Sequence, residues 1–334
     1  MESSSNLLGA PSNFARDKIV EDQKINIHAN DEEAFRWACR NGYLEVAKWL
    51  WQLDGINIHV KDEEAFRIAC SNGHLEVAKW LWQLNQNIDI HAKNEEAFTW
   101  ACINGNLEVA KWLWKLNLNM DIHTENEYTF RGTCSNGHLE VAKWLWQLDQ
   151  HIDIHAENAG AFKTACFNGH LEVAKWLWQL DKNIGINSEN EFIYACKKGH
   201  LEVAQWLWQL NQHIDIHLNN ELIFRLACKK GHLEVAKWLW QLCLQIDIHS
   251  NNEEAFRLVC ENGDLEMAQW LWQLDQKINI HVLNELPFKL ACEEGQLEVA
   301  KWLTTICPDY QIEIENDKIK WSIKKIMKIK PVIE

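Results

Sequence analysis

The chain has 334 residues, 47% of them hydrophobic, with 33 basic against 48 acidic side chains and a formal net charge of −15. That balance argues against nucleic acid, whose phosphates call for a basic stripe. No apolar run reaches the roughly 18 residues that would suggest a membrane span.

Residues 1–12 are Ser-rich with one small apolar patch and are expected to be disordered. They lack the basic start and apolar stretch of a signal peptide. Residues 13–29 read as a degenerate half-repeat. Length alone suggests about two domains, but from 30 to 306 one unit recurs nine times. Its marker is Cys39, Cys70, Cys102, Cys134, Cys166, Cys196, Cys228, Cys260 and Cys292, at intervals of 31, 32, 32, 32, 30, 32, 32 and 32. A period in this range signifies stacked supersecondary units rather than one closed core.

The fourth repeat stands for the rest. Asn126 is expected to cap a first helix. Its column reads Asp31, Asp62, Asn94, Asn126, Asn158, Ser188, Asn220, Asn252 and Asn284, all good N-caps. Glu follows in eight of nine repeats, and Glu127 is expected to pair with Arg131 one turn on. The first helix ends at Asn136-Gly137, where Gly takes the left-handed conformation. The second helix is predicted over His138 to Leu148. Seven apolar residues cover roughly 220° of its circumference, so it needs neighbouring copies on both flanks. Its two Trp columns hold seventeen of the twenty tryptophans and read as a core ladder. Ile152-Asp153-Ile154-His155 is a short extended connector. The His recurs in eight repeats, with Asn187 in its place once. Successive copies lie too far apart to share a metal ion, and a structural hydrogen bond across the connector is expected.

Nine of the eleven cysteines form the marker column. Stacked helices lie roughly 8–10 Å apart, beyond the reach of disulfides, so the column reads as small buried hydrophobes in a reducing compartment. Cys243 and Cys307 stand outside it, with nothing nearby in sequence to activate them. Cys-x3-His occurs five times, but Tyr43, Asn106, Asp264 and Gln296 take the His place elsewhere. No metal, cofactor or catalytic set is expected: there is no Gly-rich phosphate loop and no H-E-x-x-H.

These residues resemble the ankyrin repeat. G-H-L-E-V-A-K-W-L-W is similar to that family's second-helix phrase, and I-D-I-H-A to its connector. The first-helix signature survives as Leu286-Pro287-Phe288-Lys289-Leu290-Ala291. The resemblance covers about residues 25–306 and implies an all-α, ankyrin-like helical-repeat solenoid: nine helix-turn-helix repeats with short extended connectors. It further implies a non-enzymatic protein–protein interaction scaffold. Here the connector is shorter than the family's hairpin, so binding should rely on the first-helix face. The Trp-rich, Pro-poor dialect is similar to ankyrin proteins of giant DNA viruses of amoebae, which implies a viral protein acting on host factors in the host cytoplasm.

Residues 307–334 are expected to cap the array, with a Lys-rich helix over Lys318 to Lys330. The exposed face of the first helices carries charge in most repeats. Repeats four to six differ, presenting Tyr128, Arg131, Lys163, Phe167, Ile193, Tyr194 and Lys197. Central exposed aromatics are typical interface hot spots, so these seven residues are the candidate partner site on the predicted concave surface. The partner is expected to be a protein and the chain a monomer. A structural or assembly role, with association end to end or within a particle driven by the basic cap against the acidic body, is the alternative.

Overall fold

A computed structural model of the chain describes residues 26–53, 55–85, 87–116, 120–184, 189–243, 245–315 and 318–324. The expected disordered start, most of the half-repeat, Asn187, Ser188 and residues 325–334 lie outside them. The chain divides into two units, Met1–Ala165 and Cys166–Glu334.

Eighteen helices fall into nine pairs among the described residues. They are α1 Ala29–Arg40 and α2 Leu44–Trp51, α3 Val60–Ser71 and α4 Leu75–Leu84, α5 Ala92–Ile103 and α6 Leu107–Leu116, α7 Thr124–Ser135 and α8 Leu139–Leu148, and α9 Ala156–Phe167 and α10 Leu171–Leu180. The series continues with α11 Glu189–Lys198 and α12 Leu201–Leu210, α13 Leu218–Lys229 and α14 Leu233–Leu242, α15 Ser250–Asn262 and α16 Leu265–Leu274, and α17 Val282–Glu293 and α18 Leu297–Ile306. In the first unit α1, α3, α5 and α7 pack in series; in the second, α11, α13, α15 and α17 do so. Both units are all-α repeat stacks, the second with one terminal β-hairpin. No helix among the described residues is long and apolar enough to cross a membrane.

The core runs along a phenylalanine column four residues before the marker cysteine. All nine, Phe35 to Phe288, are among the largest fully buried side chains. Phe98 lies between Trp114 of its own repeat and Trp144 of the next, each 6.1 Å away. Phe192 lies in the same way between Trp208 and Trp238. The second-helix indoles are therefore half-buried walls of the core rather than its centre. The marker cysteines are free and buried. Burial alone lifts the Cys39 thiol to about 12 and the Cys70 thiol higher still.

The entry to the first helix differs from the expectation. Asn126 is not a side-chain cap. Glu125, Asn126 and Glu127 have φ of 49°, 55° and 62°, one left-handed turn. The same three-residue turn recurs in the other repeats where this segment is described. Asn and Asp tolerate this region best after Gly, and they are also favoured N-caps, so the column fits either role. Such a turn costs roughly 1–2 kcal/mol per residue and persists only where surroundings fix it.

Two side chains fix it. Arg131 does not pair with Glu127; its Nε donates to the Asn126 carbonyl (2.7 Å) and its guanidinium to the Glu125 carbonyl (3.2 Å). Glu127 is buried. Its carboxylate meets His123 Nδ1 at 2.8 Å and accepts the Asp153 amide of the connector that follows at 3.2 Å. The other ring nitrogen of His123 reaches Asp149, at the start of that same connector, at 3.2 Å. Glu32, Glu221 and Glu253 likewise accept from the following connector while bonding their own histidine. The histidine row is thus the expected structural hydrogen bond, with a buried carboxylate as its partner. Gly105 shows how close the repeats come: φ is 79°, and a Cβ there would lie 2.4 Å from His138 Nδ1 of the next repeat.

The C-terminal cap is a hairpin, not the expected helix over 318–330. Strand β1 (Tyr310–Glu315) pairs antiparallel with β2 (Lys318–Ile323), with Tyr310 opposite Ile323. Ile319, Trp321 and Ile323 alternate with polar residues at period two, which is strand patterning. The cap replaces what a tenth repeat would supply. Tyr310 stacks on Phe288 (4.1 Å, 9°) and Trp321 meets that ring edge-on. The Tyr310 hydroxyl donates to Glu285 and stands 3.3 Å from the Ile280 carbonyl, and burial with the Glu285 carboxylate pushes its pKa well up.

Two outcomes follow from these contacts. Bonding to Glu127 and Glu221 raises His123 and His217 above their ordinary 6.5. The stability they add is complete below the unfolded value and fades as pH rises through the higher folded one. Replacing both histidines with Asn therefore costs more at about pH 6 than at about pH 8 in urea unfolding; a cost independent of pH would refute this. Tyr310→Phe leaves Glu285 without its hydroxyl donor and costs about 1–3 kcal/mol. Faster native-state hydrogen exchange confined to the last repeat reports it, whereas unchanged protection there counts against the capping role.

Candidate functional site

Along the first helices, three repeats carry one charged rung each, with the arginines of two of them buried. Arg36 pairs with Glu64 at 2.5 Å, and Arg67 pairs with Glu96 and Arg225 with Glu254. Each arginine sits three residues before its cysteine; each glutamate sits six before the next one. In repeats four to six the glutamate position holds Tyr128, Gly160 and Asn190. Arg131 then faces Gly160, where an added Cβ would lie 3.5 Å from its Cδ. The ladder is interrupted over repeats four to six and resumes at Arg225.

Beyond the break, in the second unit, lies an open pocket of about 690 Å³ lined by Phe167, Tyr194, Lys197, Lys198, Lys230 and His232. Phe167 ends α9; Tyr194, Lys197 and Lys198 share the last turns of α11; Lys230 follows α13; His232 precedes α14. The Phe167 and Tyr194 rings meet edge-on at 5.4 Å. Lys198 Nζ stands 4.7 Å from the Phe167 ring centre and Lys197 Nζ 5.9 Å from that of Tyr194. Tyr194 is 44% exposed. His232 Nε2 meets the Lys197 carbonyl at 3.0 Å, tying the end of α11 to the next repeat. Burial, with His170, His232 and Lys198 nearby, lowers the pKa of His200 behind this wall.

The structure brings together Phe167, Tyr194 and Lys197 of the seven candidates. Ile193 is half-buried on α11 and is not one of the six lining residues. Tyr128, Arg131 and Lys163 belong to the first unit. There Tyr128 is 37% exposed and Arg131 is held by the left-handed turn. Lys198, Lys230 and His232 complete the lining and are not among the seven. Their signal was the phrase C-K-K-G-H, which occurs twice, at Cys196 and Cys228. Trp37 and Trp100, exposed in the first unit two residues before their cysteines, are likewise not among the seven because they stand outside the middle repeats.

The Cys-x3-His pairs serve stacking. Cys70 and Cys228 are buried, while His74 and His232 meet carbonyls of the preceding repeat. Cys243 has an unforeseen neighbour: its Sγ lies 3.3 Å from His217 Nε2, in the place Asp149 and Asp275 take in their repeats. Among the described residues no three His, Cys, Asp or Glu side chains gather as a metal-ligand set.

A family model described as ankyrin repeats (3 copies) matches residues 35–126, 66–158, 164–252 and 224–316. No curated protein matches the chain.

Proposed function

Because this chain belongs to the ankyrin-repeat family, whose repeats are generally protein–protein interaction modules, we propose that it is a non-enzymatic scaffold that seats a protein or peptide against Phe167 and Tyr194. One observation carries this reading: a half-buried Phe167 and an exposed Tyr194 meet edge-on and line an open pocket on the helix face that elsewhere carries salt-bridged rungs. Aromatic anchors in a pocket dominate binding energy in most interfaces. Ile193 is proposed as a flanking contact on α11; Tyr128, Arg131 and Lys163 are proposed as partner contacts of the first unit taken by itself. The Trp-rich dialect supports a viral protein whose partner is a host factor in the cytoplasm. End-to-end association is disfavoured, because Tyr310 and Trp321 already cover the terminal Phe288.

Phe167→Ala with Tyr194→Ala removes both anchors without touching the phenylalanine core. The double variant keeps the wild-type unfolding midpoint but loses the proteins that the immobilised wild-type chain retains, as compared by mass spectrometry. Equal retention by the two would reject the site.

A further inference from the structure

We infer that the Phe167–Tyr194 pocket takes an acidic peptide segment: an apolar or aromatic side chain wedged on the two rings, with flanking carboxylates on Lys197, Lys198, Lys229 and Lys230. This rests on the reading above that the pocket is the partner surface, and it adds the chemistry of the partner.

The argument begins with charge. The chain carries −15 overall, yet two consecutive repeats place a Lys-Lys pair directly after the marker cysteine, Lys197-Lys198 and Lys229-Lys230. The same two positions hold Glu261-Asn262 and Glu293-Glu294 in the next two repeats. The basic patch is therefore local, and stacking does not require it.

These lysines are also uncommitted. On the second helices, Lys175 and Lys237 are each bridged to a glutamate one turn back, at 3.0 Å. Arg225 is bridged to the next repeat. Among the described residues none of Lys197, Lys198, Lys229 and Lys230 stands within salt-bridge distance of a carboxylate. Lys198, Lys229 and Lys230 are exposed, and the neighbours of Lys197 and Lys198 are aromatic faces. An ammonium over a ring still presents its outer N–H groups to an incoming anion, and a carboxylate satisfies them directly.

Geometry sets the form of the partner. A pocket of about 690 Å³ admits one bulky side chain and adjoining backbone. Its wall is pinned by the His232 contact to the Lys197 carbonyl, and Gly199 leaves room for His232, where a Cβ would come within 2.5 Å. Repulsion from the acidic remainder of the chain penalises an acidic ligand that misses the patch and so fixes where it lands.

The test uses the full chain and a fluorescein-labelled peptide of one phenylalanine flanked by glutamates, followed by anisotropy. Its counterpart with glutamines in place of glutamates, and a single-stranded oligonucleotide of equal charge, serve as comparisons. The acidic peptide binds, its Kd rises with salt, and the glutamine peptide is at least about tenfold weaker. Lys198→Glu with Lys230→Glu weakens the acidic peptide at least about tenfold, whereas reversing Lys175 and Lys237 together leaves it unchanged. Equal binding of the two peptides, indifference to the Lys198 and Lys230 reversal, no binding of the acidic peptide, or tighter binding of the oligonucleotide overturns the inference. Loss on removing Phe167 and Tyr194 without loss on charge reversal would retain the pocket and reject the acidic partner. Indifference to both would reject the pocket itself.

Discussion

A buried carboxylate held between the histidine four residues before it and an amide of the connector that follows joins successive connectors within each unit. Glu127 and Glu221 sit on a left-handed turn that no isolated chain would favour, and each ties the histidine at the start of its own helix to the connector that follows the second helix. A carboxylate out of water is costly unless its hydrogen bonds are made, so the turn, the histidine and the following connector stand or fall together. The phenylalanine column and its indole walls supply most of the apolar burial. The carboxylate clamp sets the spacing at which those side chains meet.

That constraint explains where the sequence departs from itself. Ala159 removes the carboxylate in repeat five, Gly160 removes the next rung of the charged ladder, and the marker interval shortens to 30 before Cys196. Residues that repeat answer to stacking, so departures from the pattern are free to answer to something else. Phe167 and Tyr194 follow directly after these departures. The Lys-Lys pairs then add charge of the sign that the rest of the chain lacks.

Much of this architecture is legible in the residues. The period gives the helix pairs, the one-per-repeat cysteines give a buried column, and the recurrent histidine gives a structural bond. What the residues leave open has physical causes. Asn and Asp suit both an N-cap and a left-handed turn, so Asn126 could not be assigned from its type. Glu127 and Arg131 stand at ideal helical pair spacing, yet the turn rotates them apart: one carboxylate goes to His123 and one guanidinium to two carbonyls. The terminal hairpin hides because Ile323, Ile326 and Ile329 continue at a helical spacing while Ile319, Trp321 and Ile323 alternate. At the site, Phe167 stands out as the one aromatic in its column, whereas Tyr194 shares its column with Trp37 and Trp100. Lys198, Lys230 and His232 converge only through stacking, which spacing along one repeat does not reveal.

The clamp can be tested at a single residue. Glu127→Ala removes the acceptor for both His123 and the Asp153 amide. It should lower stability by about 2–3 kcal/mol in urea unfolding and open the Asp153 amide to fast hydrogen exchange. A variant with wild-type stability and an Asp153 amide still protected would contradict the account.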